Sequence, residues 1–528
     1  MRREDLLAPK NYNIVDEIEK YANTSSKTAL LIHHESGQIE KISYEKLIKK
    51  ANKVANLFKK NGLNKGDVIL IMVPRSEEAY ATYIGALKAG LTIIPSSEML
   101  RAKDIDYRIA HSDAKAIVAF ENEIKQFEDA QHLDGLKRFV YGESVESWIS
   151  IEKNLENESD VFEGVQTEDS DIAFLSYTSG TTGNPKGVVH SHGWGYAHLR
   201  TTAAQWLGVQ EDDLVWATAA PGWQKWIWSP FLATLGSGAT AFIHMGKFEP
   251  QAYLQMLENY QVNVLCCTPT EYRLMAKVEK LEQYNLSSLK SAVSAGEPLN
   301  SEVINKFLNT FSLQVRDGYG QTENTLLVGT LLGMAPKPGS MGKPTPGNLV
   351  EVINDLGEPT EVGEVGDIAV HSSTPALFKG YLKDLERTNM QYRGEWFLTG
   401  DRAYKDEEGY FWFEGRGDDI IISSGYTIGP FEVEDALVKH PAVKECAVVA
   451  SPDAIRGNIV KAYVVLRDSE QKNSPTIVKE LQDHVKEITA PYKYPRAIEF
   501  IDELPKTSSG KIRRVELRQK EFKKEITN

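Results

Sequence analysis

Cysteine is scarce here, with Cys266, Cys267 and Cys446 the three in 528 residues. Three thiols build no disulfide framework, and so few fit a reducing cytoplasm. The adjacent pair lies in a strand-like run, Val264-Leu265-Cys266-Cys267, and reads as small core residues, not as a metal or redox site. Positive charge is short as well. The formal net charge of −14 argues against a general nucleic-acid binder. No uninterrupted apolar run approaches the length of a membrane span. The opening Met1-Arg2-Arg3-Glu4-Asp5 lacks the apolar stretch that a secretory signal needs. Internal repeats and low-complexity tracts are missing. So is a Walker A loop, which needs Gly, four residues, then Gly-Lys-Ser/Thr. Here Lys186 is followed by Gly187, and Gly183-Asn184-Pro185-Lys186 breaks the spacing.

What remains is ordinary globular chemistry, 41% hydrophobic and 25% charged. The length exceeds what one core serves, so two domains are expected. Leu47, Ala51, Val54, Ala55 and Phe58 form one apolar helix face. Val68–Val73 reads as a buried strand, Glu77–Lys88 as a helix, and Thr92–Ile94 and Ala116–Phe120 as further strands. This alternation, read over the first four hundred residues, predicts α/β layers with mostly parallel pairing. The acid-rich stretch from Glu152 to Asp171 lacks periodicity and reads as an exposed connection. Gly409–Phe413 reads as a last strand, and a polar hinge candidate follows at Gly415-Arg416-Gly417-Asp418-Asp419. Beyond it, Cys446–Val449, Ala462–Leu466 and Ala497–Ile501 read as strands and Ile477–Ile488 as an amphipathic helix. The expected organisation is a large domain over 1–416 and a small α+β lid over 417–528.

The most informative segment is Thr178-Ser179-Gly180-Thr181-Thr182-Gly183-Asn184-Pro185-Lys186-Gly187. It follows the apolar run Ile172–Leu175 and precedes Val188-Val189-His190 and a helical stretch, so it is expected on a strand-to-helix turn. Hydroxyls, glycines that let N–H groups approach, and one compact cation suit a polyphosphate.

That loop resembles the signature of the adenylate-forming superfamily: acyl-CoA synthetases, luciferases and peptide-synthetase adenylation domains. The resemblance runs through most of the chain. Ser294-Ala295-Gly296-Glu297-Pro298-Leu299 is similar to the family's purine-side loop, and Asp317-Gly318-Tyr319-Gly320-Gln321-Thr322-Glu323 to its nucleotide core. There the resemblance implies an aromatic on adenine, Thr322 on phosphate and Glu323 on Mg²⁺. Asp401, in Trp396-Phe397-Leu398-Thr399-Gly400-Asp401, would take both ribose hydroxyls, and Arg416 would reach the ribose or phosphates. Pro505-Lys506-Thr507-Ser508-Ser509-Gly510-Lys511-Ile512 resembles the mobile loop that carries the catalytic lysine, Lys511.

The implied reaction activates a carboxylate with ATP and Mg²⁺ and passes the acyl group to CoA. Two anions must meet at the α-phosphate, so Lys186, Lys511, loop N–H groups and Mg²⁺ would offset the charge. Lys511 would also align the carboxylate for in-line attack. The acyl-adenylate hydrolyses readily, so water must be kept out. For the thiol step the family rotates its small domain, and Asp418 matches the hinge. The face then presented includes Ser424-Gly425-Tyr426. Arg456 and Arg496, beside Tyr494-Pro495, match positions that hold the nucleotide end of CoA.

The acid is read from Gly320 and Trp223. Acetate-specific relatives carry tryptophan in the place of Gly320, so glycine here is expected to open the acyl pocket. Ala220-Pro221-Gly222-Trp223-Gln224-Lys225-Trp226 resembles the acyl-pocket segment of medium-chain synthetases, with Trp223 as its wall. The run Gly425–Glu434 looks like the same group, and bacterial 2-methylbutyrate and isobutyrate ligases are similar. A short branched or medium-chain acid is therefore expected, with weak discrimination per methylene, roughly 1–3 kcal/mol. Thr427 departs from the pattern, because many relatives have arginine there. The expected partners are a small carboxylic acid, ATP and CoA, with neither nucleic acid nor a membrane. Homo-oligomerisation is left open. Acylation silences several relatives at the corresponding lysine, so a lysine acyltransferase and deacylase acting on Lys511 are candidate partners. The same fold also hosts luciferase-like oxygenases, enzymes that load a carrier protein, and non-catalytic nucleotide binders. Retained Lys511, Glu323 and Asp401 speak against the last.

Overall fold

The computed structural model describes the chain except residues 24–25, 179–184, 297–298, 300, 336, 418, 424–425, 454–455, 507–510 and 528. Among the described residues, three sheets build the large part of the molecule and two smaller ones the rest. The first, seven-stranded, runs Ile149–Ser150, Lys137–Tyr141, Ala116–Phe120, Val68–Met72, Thr92–Pro95, Ile172–Thr178, Lys186–Ser191. All its pairs are parallel except the last. The second, nine-stranded, has a parallel centre of Val315–Gly320, Ser291–Ala295, Val264–Cys267, Leu214–Ala217, Thr240–His244 and Thr28–His33, with antiparallel edges. Helices cover both. Tyr44–Lys60 buries the predicted face of Leu47, Ala51, Val54, Ala55 and Phe58, and Ser43 caps its start by accepting from the Lys46 N–H. Cys266 and Cys267 are buried in their strand, as expected of core residues. No described helix is long and apolar enough to cross a membrane.

The α/β alternation stops earlier than the sequence suggests. From Val315 to Arg416 the chain is mostly antiparallel strands, interrupted by the short helix Leu385–Met390. Those from Val350 onward form a five-stranded sheet that ends in the hairpin Trp396–Lys405/Phe411–Arg416. Its last strand starts at Phe411, because Lys405 to Tyr410 form the turn that Asp406 organises. The acid-rich segment before Ile172 is also less free than expected. Asn52 and Asn56 donate to the carbonyls of Asp160, Ser159 and Val161, and Phe162 is buried, which straps the segment to the Tyr44–Lys60 helix.

Beyond residue 420 a hairpin, Ile421–Ser423/Tyr426–Ile428, and a three-stranded sheet, Val443–Asp453, Gly457–Leu466 and Ala497–Phe500, pack on the helices Pro430–Val438 and Ile477–Ile488. The C-terminal helix Arg514–Thr527 is pinned by buried charges. Glu521 accepts from Lys461, Tyr463 and Ser451, and Arg514 holds Glu434. The hinge candidate Asp418 lies outside the described residues.

Candidate functional site

The predicted nucleotide residues come from all three large sheets. Thr178 and Lys186 face each other across the antiparallel pair Ile172–Thr178/Lys186–Ser191, and the loop between them joins two strands. This corrects the expected strand-to-helix turn. Gly187-Val188-Val189-His190 pairs back on the preceding strand, and a helix begins only at His192. The phosphate loop therefore gains no helix end, and Lys186 is its charged contribution. Ser179, Gly180, Thr181, Thr182 and Gly183 of that loop lie outside the described residues, as do Glu297 and Pro298.

The five-stranded sheet closes on this hairpin from outside. Leu382 and Lys379 donate to the carbonyls of Gly187 and Val189, and Val189 donates to Gly380. That seam delivers Tyr381, which the sequence reading missed. The Tyr381 hydroxyl accepts from Lys186 Nζ at 3.0 Å and donates to Glu323 Oε1 at 2.8 Å. Lys186 also lies 3.7 Å from Glu323 and 4.5 Å from the Tyr381 ring centre. One phenol thus links the loop cation to the predicted Mg²⁺ ligand. Burial and the neighbouring Glu323 charge push its ionisation far above the ordinary range, so it stays a donor.

Asp401 is buried in the strand Trp396–Lys405 of the same sheet, paired in register with Arg416, whose Nη1 approaches Oδ1 at 3.5 Å. Its Oδ2 accepts from the Tyr319 hydroxyl at 2.6 Å and from Gln321 Nε2 at 2.8 Å. One oxygen of the expected two-oxygen grip on ribose here serves two protein donors. Asp317 is also buried, and its carboxylate accepts from the N–H groups of Gly318 and Leu299. Burial lifts it to about 7. Asp317 thus holds Leu299, near the turn that ends the strand Ser291–Ala295 at Gly296. Lys511 reaches that turn from the small domain: its Cε lies 4.0 Å from the place a Cβ on Gly296 would occupy, where φ is +111°.

Thr322 and Glu323 follow the strand Val315–Gly320, and Glu323 is nearly buried. Their segment rests on three rings that the sequence reading also missed. His190 bonds the Thr322 carbonyl, Trp194 Nε1 donates to the Asn324 carbonyl at 3.0 Å, and His198 pairs with the Thr325 hydroxyl at 2.7 Å. Part of the signal was available: Trp194 and His198 are four apart on the helix His192–His198 and share a face, while His190 lies near the end of the strand before it.

Gly320, expected to open the acyl pocket, has a second reason to be glycine. A Cβ there would lie 2.2 Å from the Thr325 carbonyl oxygen and 3.0 Å from the Trp228 ring. Glycine is needed for close backbone approach, and the Trp228 ring packs against the same place. Trp223 is half-buried at the start of the short turn Gln224–Trp226. Next to it, Lys225 Nζ is buried without a hydrogen-bond partner. It lies 4.9 Å from the Trp206 ring centre and 5.6 Å from that of Trp228. Both tryptophans sit in π-helical turns, Leu199–Leu207 and Ile227–Ala233, a local form frequent at functional sites.

Of the residues expected to meet CoA, Ser424 and Gly425 are not described, and Tyr426 lies in a strand. Arg456 begins the turn back from Asp453, whose side chain accepts its N–H. Arg496 donates to the Tyr494 hydroxyl at 2.8 Å and lies over that ring, just after Pro495. Its backbone N–H bonds Val460, so both arginines flank the strand Gly457–Leu466.

Comparison with known proteins gives the same outline. Residues 18–382 match the model of the AMP-binding enzyme family, and 432–511 that of the AMP-binding enzyme C-terminal domain. An acyl-CoA ligase of Bacillus subtilis, YtcI, is 62% identical over 99% of this chain and 98% of its own. The 4-hydroxybutyrate–CoA ligase 1 of Metallosphaera sedula is 42% identical over 94% of this chain and 88% of its own. The crystal structure of the anthranilate CoA ligase AuaEII with anthranoyl-AMP superposes with a TM-score of 0.90, at 29% identity and full coverage of both chains.

Proposed function

We propose, for a chain that belongs to the AMP-binding enzyme family and is an AMP-forming carboxylate–CoA ligase using ATP, Mg²⁺ and CoA, that its acid is short, branched or medium-chain. The observation that carries this reading is the tryptophan wall at Gly320. Trp228 packs 3.0 Å from where a Cβ on Gly320 would lie, and Lys225 lies against both its ring and that of Trp206. That geometry favours the short, branched end of the range.

In this reading Lys186 and Lys511 offset charge building on the phosphates, and Lys511 aligns the carboxylate. Asp401 offers Oδ1 to the ribose while Tyr319 and Gln321 hold its other oxygen. Thr322 holds phosphate. Mg²⁺ suits the donors present: Glu323 is a hard oxygen ligand, and Thr178 Oγ1, across the strand pair from Lys186, is buried without a partner among the described residues. When bound, the ion would neutralise phosphate charge. A single carboxylate fits an ion held largely by substrate phosphates. For the second half-reaction the small domain turns about residue 418. Ser424, Gly425 and Tyr426 then line the thiol path, and Arg456, Arg496, Tyr494 and Pro495 hold the nucleotide end of CoA. Domains over 1–416 and 417–528 are consistent with the large sheets ending at Arg416.

Lys225 supports a second reading of the acid. An unpartnered ammonium beside the pocket wall suits a substrate with an acceptor, such as a hydroxyl, at its far end. CoA-dependent AMP release over acetate, isobutyrate, 2-methylbutyrate, 4-hydroxybutyrate, hexanoate, octanoate and benzoate separates these. Highest kcat/KM on the branched acids supports the first reading, and on 4-hydroxybutyrate the second. Preference for acetate or benzoate refutes both. Pyrophosphate exchange without CoA-dependent AMP release would point to a carrier-protein acceptor. We also propose a cytoplasmic enzyme controlled by acylation at Lys511, which is exposed on the lid. Intact-peptide mass spectrometry of protein from cells checks this, and an always unmodified Lys511 counts against it.

A further inference from the structure

We infer that His190, Trp194 and His198 form a positioning column that sets the catalytic segment Thr322–Thr325 and fastens it to the wall of the acyl pocket. The inference rests on the reading that this segment carries the adenylation chemistry.

The three rings are continuous. His190 and Trp194 have centroids 4.8 Å apart, and Trp194 stacks on His198 at 5.0 Å with an 18° angle between planes. All three are buried. Each ring gives one polar atom to a successive part of the segment. The hydrogen bonds fix the tautomers. A carbonyl can only accept, so His190 carries its proton on Nε2, facing the Thr322 oxygen. His198 Nε2 faces the Trp228 carbonyl at 2.9 Å and must donate there, so its Nδ1 accepts from the Thr325 hydroxyl. The Thr325 oxygen then accepts from Thr202, 2.8 Å away. His198 is therefore a two-ended tie. One end holds the backbone of Trp228, whose ring limits the acyl pocket at Gly320, and the other holds the residue two after Glu323.

Such a tie makes the fit of the acid felt in the rate of adenylation. A ligand that pushes on Trp228 also moves Thr325, and Thr322 and Glu323 are held on the same column. A bad fit should lower kcat as well as raise KM.

The test uses isosteres that keep one ring nitrogen at a time. Gln places an amide near the Nε2 position and Asn near Nδ1. Carboxylate-driven ATP–pyrophosphate exchange is measured for His190→Gln, His190→Asn, Trp194→Phe, His198→Gln and His198→Asn, with Glu323→Gln as reference and thermal melts of each. We expect His190→Gln to keep kcat within about threefold and His190→Asn to lose about tenfold, with KM for ATP nearly unchanged in both. Trp194→Phe keeps the stack but loses the donor, and should lose about fivefold in kcat. His198→Asn, which frees Trp228 but keeps an acceptor for Thr325, should shrink the spread of kcat among acids. His198→Gln should lower kcat for all acids alike. Equal kcat for the two His190 variants together with unchanged kcat in Trp194→Phe would overturn the column. An unchanged kcat spread in His198→Asn would overturn its fastening to the pocket. If an Asn variant does not fold, Trp194→Phe and the Gln variants decide. Full exchange by Glu323→Gln would instead refute the reading of the catalytic segment itself.

Discussion

Replacing Lys225 by methionine should make the protein more stable and change its choice of acid. The ammonium of Lys225 is buried without a hydrogen-bond partner among the described residues, the Trp206 and Trp228 rings face it, and its charge reaches the buried Asp317 carboxylate. Leaving a buried polar group unsatisfied costs about 1–3 kcal/mol, and more when it is charged. Two cation–ring contacts return about 0.5–2 kcal/mol each. Methionine keeps most of the stem volume and a favourable contact with aromatic rings, without the charge. For a charged group the cost is at least about 3 kcal/mol, and two rings at about 1 kcal/mol each leave a gain of about 1 kcal/mol for Lys225→Met. Urea denaturation followed by tryptophan fluorescence should show that gain as a higher midpoint, shifted by the gain divided by an unchanged slope. If the ammonium serves a polar substrate terminus, kcat/KM for 4-hydroxybutyrate should fall about 10–100-fold, while isobutyrate is unchanged or improved. A loss of more than 1 kcal/mol in stability with an unchanged acid profile would refute the reasoning, because Lys225 would then be a structural cation.

Four further outcomes are expected. Lys511→Ala should lower acyl-adenylate formation about 10²–10³-fold and leave thioester formation from supplied acyl-adenylate within about threefold; equal loss in both half-reactions contradicts its role. Tyr381→Phe removes the hydroxyl shared by Lys186 and Glu323, so adenylation should fall roughly 10–100-fold and need more Mg²⁺ for half its rate, and an unchanged Mg²⁺ titration would speak against the link. Gly320→Ala puts a methyl 2.2 Å from the Thr325 oxygen, so all acids should lose activity together, at about 1–3 kcal/mol in stability, and a selective gain on acetate would restore the open-pocket reading. His192 is buried, and burial lowers it from the ordinary 6.5 to about 4. Below pH 6.5 the unfolded chain takes up a proton that the folded chain refuses, so this group's stabilising effect is present above 6.5 and is lost as pH falls toward 4. His192→Asn, which keeps an acceptor for the Ile14 N–H, should therefore gain about 1.4 kcal/mol relative to the parent between pH 7.5 and 5.5. A constant difference between the two proteins over that range would disprove it.

Long periodic elements were legible in the sequence because burial dictated them. Glu77–Lys88, Ala116–Phe120, Val264–Cys267 and Ile477–Ile488 form where the pattern placed them. The hairpin at Lys186 was misread because Gly187–His190 gives no local sign that it pairs backward onto Ile172–Thr178. The motif residues of the site were readable one segment at a time. Tyr381, Lys225 and the His190–His198 column were not. Their meaning lies in contacts with residues up to 195 positions away, as between Lys186 and Tyr381. Gly320 shows the same limit from the other side. The sequence gives a missing side chain, while only the backbone of Thr325 and the ring of Trp228 tell what fills its place.

The seam between Gly187–Val189 and Lys379–Leu382 bears on modularity. A chain ended before residue 379 would keep every strand of the seven-stranded sheet and the hairpin at Lys186. It would still lose the phenol that joins that lysine to Glu323, along with the outer rung that flanks it. The phosphate-binding half therefore cannot be excised as a working unit. An insertion that loosened the antiparallel sheet would silence the first half-reaction from a distance, and a circular permutant opened near residue 380 should fold its two parallel sheets yet stay inactive.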